Sequence, residues 1–251
     1  NILFQRYKSN SYLYFAVFTG DSLNSNTGNC KGGTITNSQF THLIVTVTST
    51  GVMKLYQDGV LVEPDNTGVI APAVMTRTNH YLGRSHSNDD QMFHGHMKYF
   101  RVWQGHELTQ DEVSHLYSHR DSAPSPSYAW DFRVDIDSSS IGPVDSIYGL
   151  TSTYENGLTS SMTMGAYFAG GGNSDGAYNY IDLEGFEVGG TCSFEAYVRY
   201  DDNGRYASVF DFGDATNAND DNIILTRDGT TTDLRFILLT GAPGSNTGRI
   251  I

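Results

Sequence analysis

The stretch HMKYFRVWQGHELTQDEVSHLYSH, residues 96–119, joins a strand to a helix and decides the fold. Between 96 and 103 polar and apolar side chains alternate with period two, which predicts a β-strand. One face of that strand would carry Met97, Tyr99, Arg101 and Trp103. From 108 the apolar residues recur with helical spacing, and Thr109 with Glu112 forms a capping box. One short α-helix is therefore predicted near 109–119.

Short strands surround this segment on both sides. Residues 41–48 and 52–57 are rich in apolar and β-branched residues and flank Ser49-Thr50-Gly51, a hairpin signal. Similar runs recur in the second half of the chain, for example at 192–200, between Gly-rich turns. Many short strands with a single late helix predict an all-β fold, an antiparallel two-sheet jelly-roll sandwich.

The composition excludes two classes of function. The 251 residues carry a net charge of −13, whereas a nucleic-acid-binding protein needs a basic surface. The mean hydropathy is −0.36 and the longest apolar runs have the length of a strand, so no membrane span is expected. A chain with 27 Gly, 16 Tyr and few charged residues is typical of a turn-rich, secreted β protein.

The chain divides at residues 121–127, a Ser/Pro-rich segment that reads as a semi-rigid linker. All of the net charge lies after residue 120, and all eight His lie before it. The segment is also a candidate for O-glycosylation. Its candidate residues are Ser122, Pro124, Ser125, Pro126 and Ser127.

An internal repeat relates the two ends of the chain. Residues 1–20 align with 222–241 without a gap, and seven positions are identical, from Asn1/Asn222 to Gly20/Gly241. We therefore expect residues 1–120 to be the C-terminal portion of one domain and 128–251 the N-terminal portion of the next. Each portion would then need a complement from flanking repeats or from copies of the same protein.

These segments resemble the laminin G-like branch of the concanavalin A-like jelly-roll superfamily. The C-terminal half of such a domain is matched by residues 42–47, 54–59, 81–85 and 93–103 and by the helix that follows. The N-terminal half is matched by 180–183, 192–200 and 209–213. Tyr197 replaces a Trp that is common in the family.

The resemblance and the repeat together predict a non-enzymatic structural or adhesive module of a repetitive extracellular or cell-surface protein, such as a filament or coat building block. One alternative is a Ca²⁺-dependent carbohydrate-binding module. Its candidate surface aromatics are Tyr148, Tyr154, Tyr178 and Tyr206.

A second alternative is a glycoside hydrolase, because the superfamily includes enzymes with paired acids on one strand. Asp182, Glu184 and Glu187 have a related spacing, but acids that solvate an outer strand would look the same. The sequence therefore favours a protein that is not an enzyme.

Two acidic loops are candidate Ca²⁺ sites, because Ca²⁺ binds carboxylate and amide oxygens. The first contains Asp211, Asp214, Asp220 and Asp221, and laminin G-like domains often bind Ca²⁺ at the rim of the sandwich. The weaker second candidate is Ser87-Asn88-Asp89-Asp90. His86, His94 and His96 could suggest zinc, although surface histidines explain them equally well.

Cys30 and Cys192 are the two cysteines of the chain. The repeat predicts that each is half of a disulfide whose partner lies outside the chain, which fits an extracellular location. A direct Cys30–Cys192 bond and two free buried thiols are the alternatives.

Overall fold

The computed structural model describes residues 2–4, 14–17, 29–30, 33–62, 64–65, 71–84, 91–121, 123–137, 141–170, 179–202, 204, 207–213, 223–227, 230 and 234–238. Side chains are not described for 2–4, 14–17, 29–30, 64–65, 223–224, 227 and 234–238. The described part forms twenty strands and one helix. In the first half they are β1 (Ile2–Phe4), β2 (Tyr14–Val17), β3 (Asn29–Cys30), β4 (Phe40–Val47), β5 (Met53–Gln57), β6 (Val60–Val62), β7 (Pro64–Asp65), β8 (Met75–Arg77), β9 (Asn79–Leu82), β10 (His94–Gln104) and α1 (Gln110–His119). In the second half they are β11 (Tyr128–Asp131), β12 (Ser152–Glu155), β13 (Thr159–Ser161), β14 (Gly165–Ala169), β15 (Tyr180–Leu183), β16 (Phe186–Val188), β17 (Cys192–Tyr200), β18 (Ser208–Gly213), β19 (Ile223–Arg227) and β20 (Leu234–Leu238).

Two large sheets form the two layers of a β-sandwich, as predicted. The front sheet has the order β13-β14-β10-β17-β4-β5-β6, and β11 also pairs with β10. The back sheet has the order β1-β2-β20-β19-β18-β9-β15-β12. Its pairing of β2 with β20 is parallel, whereas the neighbouring pairs are antiparallel. The main core lies between the sheets, where Val45, Phe100 and Phe194 of the front sheet join Ile181 and Phe210 of the back sheet.

The two portions of the chain complete each other in these sheets. Strand β10, from the first portion, lies between β17 and β14, both from the second. Strand β17 in turn lies between β10 and β4. The expectation that each portion finds its complement beyond the chain is therefore wrong for these strands, because the other portion supplies it. The assignment of the portions to successive domains stays a prediction.

The faces predicted for the side chains of β10 are interrupted at Lys98 and hold only from Tyr99 onward. The register with β17 shifts between Met97 and Tyr99, which marks a β-bulge. Met97 consequently points into the core, while Tyr99, Arg101 and Trp103 lie on the outer face. The prediction that Met97 shares their face is wrong, because the extra residue of the bulge reverses the order of faces.

Helix α1 begins and ends as the sequence predicts. The Thr109 side chain accepts a hydrogen bond from the Glu112 N–H, and the Glu112 carboxylate accepts one from the Thr109 N–H at 2.7 Å. Arg120, with a left-handed φ of 56°, ends the helix. The helix packs on the outer face of the front sheet, in a second core of Ile44, Tyr56, Trp103, Leu108, Val113 and Leu116.

The Ser/Pro segment after the helix is docked on the front sheet. The Trp103 indole donates to the Pro124 carbonyl at 3.0 Å, and the Gln104 N–H donates to the Ser127 hydroxyl at 2.9 Å. Pro126 is buried, whereas Ser125 is exposed. Ser122 lies outside the described residues, and O-glycosylation of the segment stays a prediction.

Cys192 is a free thiol with no exposed surface, in the main core. Burial raises its pKa to about 12, so the thiol stays protonated and unreactive. The direct Cys30–Cys192 bond is therefore absent here. The side chain of Cys30 lies outside the described part, and its pairing stays a prediction.

Candidate binding surface

The outer face of the front sheet contains a buried charge cluster next to α1. Glu195 has no exposed surface, and its carboxylate lies 2.7 Å from His42 Nε2 and accepts hydrogen bonds from Arg101 Nη1 at 2.9 Å and Tyr99 Oη at 3.2 Å. Arg101 also donates to the backbone carbonyls of Arg120 and Asp121. The cluster therefore connects β17 to β4, to β10 and to the end of α1.

A row of aromatic and cationic side chains continues on this face beyond the cluster. Phe40, Arg199, His96 and Tyr167 are register partners on four adjacent strands, β4, β17, β10 and β14. Because neighbouring strands lie about 4.8 Å apart, the row extends roughly 14 Å across the sheet. We call these four residues, together with Tyr197 and Lys98 beside them, the front row.

Contacts between rings and cations hold the front row together. Lys98 Nζ lies 4.3 Å from the Phe40 ring centroid and 5.6 Å from that of Tyr197, within the range of a cation–π interaction. The rings of Phe40 and Tyr197 are 5.1 Å apart, and those of His96 and Tyr167 are 4.9 Å apart. Burial, with a smaller effect from Arg133, lowers the pKa of Lys98.

Acidic residues that follow β17 lie beside the middle of the row, next to Arg199 and His96. Asp202 lies 2.8 Å from His94 Nδ1, and the Arg199 guanidinium donates to Asp201 at 2.8 Å. Burial, and after it the charge of Arg199, lowers the pKa of His96 below its ordinary value of 6.5. His96 is therefore a neutral donor and acceptor at pH 7, and the cations of the row are Lys98 and Arg199.

The candidate zinc histidines do not converge on one point. His94 and His96 share the outer face of β10, but each lies near a different aspartate. Within the described ranges, no group of three or more His, Cys, Asp or Glu side chains is found that could hold a metal ion. His86 lies outside those ranges.

The calcium predictions fall mostly outside the described residues. Asp214, Asp220 and Asp221 are not described, nor are residues 87–90. Asp211 is described and lies in β18, opposite Tyr81 of β9, with no exposed surface. Calcium binding at these loops stays a prediction.

The three acids of the hydrolase hypothesis lie on different elements. Asp182 is on β15, Glu184 follows that strand, and Glu187 is on β16, which belongs to a separate two-stranded sheet. Hydrogen bonds from the Thr151 N–H and hydroxyl lower the pKa of Glu184. A glycosidase general acid needs the opposite shift.

Of the four tyrosines proposed as sugar contacts, the structure describes two, and only one of these is exposed. Tyr148 is 69% exposed and fits that role, but Tyr154 is only 2% exposed and cannot contact a ligand. Tyr178 and Tyr206 lie outside the described residues. Tyr154 was misassigned because period-two alternation on β12 directs its ring into the core.

The front row was not found by sequence reasoning. The alternation within 192–200 places Tyr197 and Arg199 on one face, which was an available signal. Their partners Phe40 and Tyr167 become visible only when the strand register is known.

One comparison with known proteins gave a match. The family model Laminin_G_3, described as the concanavalin A-like lectin/glucanases superfamily, matches residues 1–114. No curated protein and no solved structure matches the chain. The helix in the described part is neither long nor apolar enough to cross a membrane. The family match over residues 1–114 and the β-sandwich support a laminin G-like domain of the concanavalin A-like superfamily.

Proposed function

We propose that the chain is a non-enzymatic adhesive module of a repetitive extracellular protein, and that it attaches to carbohydrate through the front row. Laminin G-like domains are typically extracellular and generally not enzymes, although the superfamily includes hydrolases. The three acids of the hydrolase hypothesis lie on different elements, which supports a role without hydrolysis. The repeat of residues 1–20 at 222–241 supports a longer, repetitive protein, such as a filament or coat component.

The observation that carries the proposal is the front row itself. Polar aromatic side chains present large flat surfaces, against which the C–H faces of sugar rings pack, and they also offer hydroxyl groups. Tyr167 is 36% exposed, and Tyr197 and Phe40 are partly exposed. Lys98 and Arg199 add donors in a chain whose net charge is −13. A linear saccharide lying across the strands would contact these groups in succession.

A glycan array of neutral and acidic saccharides, with Ca²⁺ and with EDTA, tests the proposal. We expect Tyr167→Ala and Lys98→Gln to reduce binding at least about tenfold, which corresponds to 1.4 kcal/mol. Tyr148→Ala tests the alternative contact, because Tyr148 is exposed but lies outside the row, and it should leave binding unchanged.

The outcomes separate the parts of the proposal. Binding that is equal in wild type and both front-row variants would place the site elsewhere, and no binding to any saccharide would reject carbohydrate attachment. Loss of binding in EDTA would support the Ca²⁺-dependent form of the function. Light scattering of the wild-type chain tests self-association, which a filament or coat role requires.

A further inference from the structure

Two hairpins of the back sheet are equivalent in the internal repeat. Strands β1 and β2 correspond to β19 and β20 in the alignment of the two chain ends. In the first hairpin Leu3 pairs with Ala16, and in the second the aligned residues Ile224 and Ile237 pair with each other. The remaining pairs of the first hairpin recur in the second in the same way. The repeat therefore preserves the backbone pairing of the hairpin as well as its sequence.

The two hairpins lie side by side, with each residue next to its own equivalent. Strand β2 pairs with β20 in parallel, and Phe15 lies opposite Phe236, with which it aligns. Tyr14 and Ala16 also lie opposite their aligned residues. Because one repeat contains this hairpin once, one sandwich has a place for one copy of it. The back sheet thus holds one hairpin more than the repeat requires.

The place for the hairpin is beside β18. Strand β19 pairs with β18 there, and Leu225 lies opposite Phe210 in the main core, with 2% of its surface exposed. Residues 223–225, Ile-Ile-Leu, align with residues 2–4, Ile-Leu-Phe, so each position of β1 is also apolar. Strand β1 therefore has the residue types that the place beside β18 requires.

We propose that the β1–β2 hairpin completes a second copy of the chain, in which β1 takes the place of β19 beside β18. The aligned register puts Leu3 opposite Asp211 and Phe4 opposite Phe210 of that copy. Such an exchange between copies needs little free energy, because each backbone pairing that is lost is replaced by its equivalent. The displaced β19–β20 hairpin is then available to a third copy, which extends the assembly. The inference rests on the proposed filament or coat role, and it names the segment that would connect the copies.

Cross-linking between two single-cysteine variants of the full chain tests the exchange. One carries Leu3→Cys and the other Asp211→Cys, both in a Cys30→Ser background, where the buried Cys192 stays protonated. Opposed Cα atoms in antiparallel strands are about 4.5–5.5 Å apart, which is within the roughly 4.4–6.8 Å that a disulfide spans. On mild oxidation of the mixture we expect a covalent dimer, in which mass spectrometry identifies the disulfide between positions 3 and 211.

The adjacent positions of both strands give matched controls. Ile2→Cys should not link to Asp211→Cys, because neighbouring residues of a strand face opposite sides of the sheet. It should instead link to Phe212→Cys, since the aligned Ile223 lies opposite Phe212. Leu3→Cys should not link to Phe212→Cys. Two linking and two non-linking combinations therefore define the register, and each acceptor variant tests it without the other.

Two further variants test the acceptor strand. Asp211→Cys and Ile224→Cys in one chain should form an intrachain disulfide, because these two residues are paired in β18 and β19. That disulfide verifies that β18 is folded in the variant. Ile224→Pro, added to Asp211→Cys, interrupts β19. It should raise the yield of the mixed dimer with Leu3→Cys, because the place beside β18 is then less firmly held.

Two results would overturn this inference. One is an intrachain disulfide without any mixed dimer, with or without Ile224→Pro, and the other is equal yields from Leu3→Cys and Ile2→Cys, which random collision would give. The failure of the proposed function looks different. Self-association in light scattering without the cross-link would keep the filament or coat role and reject only the hairpin as the connection. Carbohydrate binding is tested separately by the front-row variants.

Discussion

The substitution Glu195→Gln tests how the buried cluster connects the two portions of the chain. Glutamine keeps the shape of glutamate but removes the negative charge. Arg101, whose side chain is 9% exposed, would then be a buried cation without a carboxylate. The buried His42, 2.7 Å from the carboxylate, would then face a neutral amide.

The expected magnitude follows from the burial of the pair. Removing one partner of a buried ion pair costs about 3–5 kcal/mol, because the other charge stays in the protein interior. The carbonyls of Arg120 and Asp121 still accept from Arg101, which favours the lower end of this range. We therefore expect Glu195→Gln to lower the free energy of unfolding by about 3 kcal/mol.

Urea denaturation followed by tryptophan fluorescence measures this change, since Trp103 and Trp130 are both buried. The matched control is Glu107→Gln, because Glu107 forms a surface ion pair with Lys54 at 2.5 Å with both side chains partly exposed. The control should cost at most about 1 kcal/mol. If Glu195→Gln cost no more than the control, the cluster would not stabilise the contact between the portions.

Three further predictions concern single positions. In a Cys30→Ser background, Ellman's reagent should react with Cys192 only after unfolding, because the thiol is buried with a pKa of about 12; rapid reaction in the native state would contradict this. Gly165 and Gly105 have similar φ values of 76° and 78°, but a Cβ at Gly165 would lie 2.2 Å from the Met97 carbonyl oxygen, while one at Gly105 would meet nothing within 4 Å. Gly105→Ala should therefore cost about 1–2 kcal/mol for the left-handed backbone alone, and Gly165→Ala clearly more; equal melting temperatures would refute the close contact. Burial raises the pKa of Glu112, but hydrogen bonds at the helix cap outweigh this effect and hold the pKa below the ordinary 4.5. The stabilisation by the Glu112 carboxylate is therefore present above pH 4.5 and is lost as the pH falls through the lowered pKa. Glu112→Gln should flatten this acid limb of the melting temperature, and an unchanged pH profile would argue against the cap.

The fold class and the local elements could be predicted because they depend on neighbours in the sequence. The capping box of Thr109 and Glu112 forms within one helical turn, and the hairpin of β4 and β5 closes over a few residues. Strand alternation identified 192–200 as β17, which the structure bounds at Cys192–Tyr200. Strands β12 and β13 were missed, because their residues are mostly polar; only one face of β12 is buried, and all three residues of β13 are partly exposed.

By itself, the sequence determined the class of fold, the helix and its caps, and the strands whose side chains alternate, since each of these depends on residues within one turn or one hairpin. The tertiary structure alone decided that β10 pairs with β17, almost a hundred residues later in the chain, and that a bulge after Met97 exchanges its faces. Those pairings bring Phe40, Arg199, His96 and Tyr167 into one row and place Glu195 against Arg101. No local pattern specifies such a register, because it results from the burial of both sheets against each other.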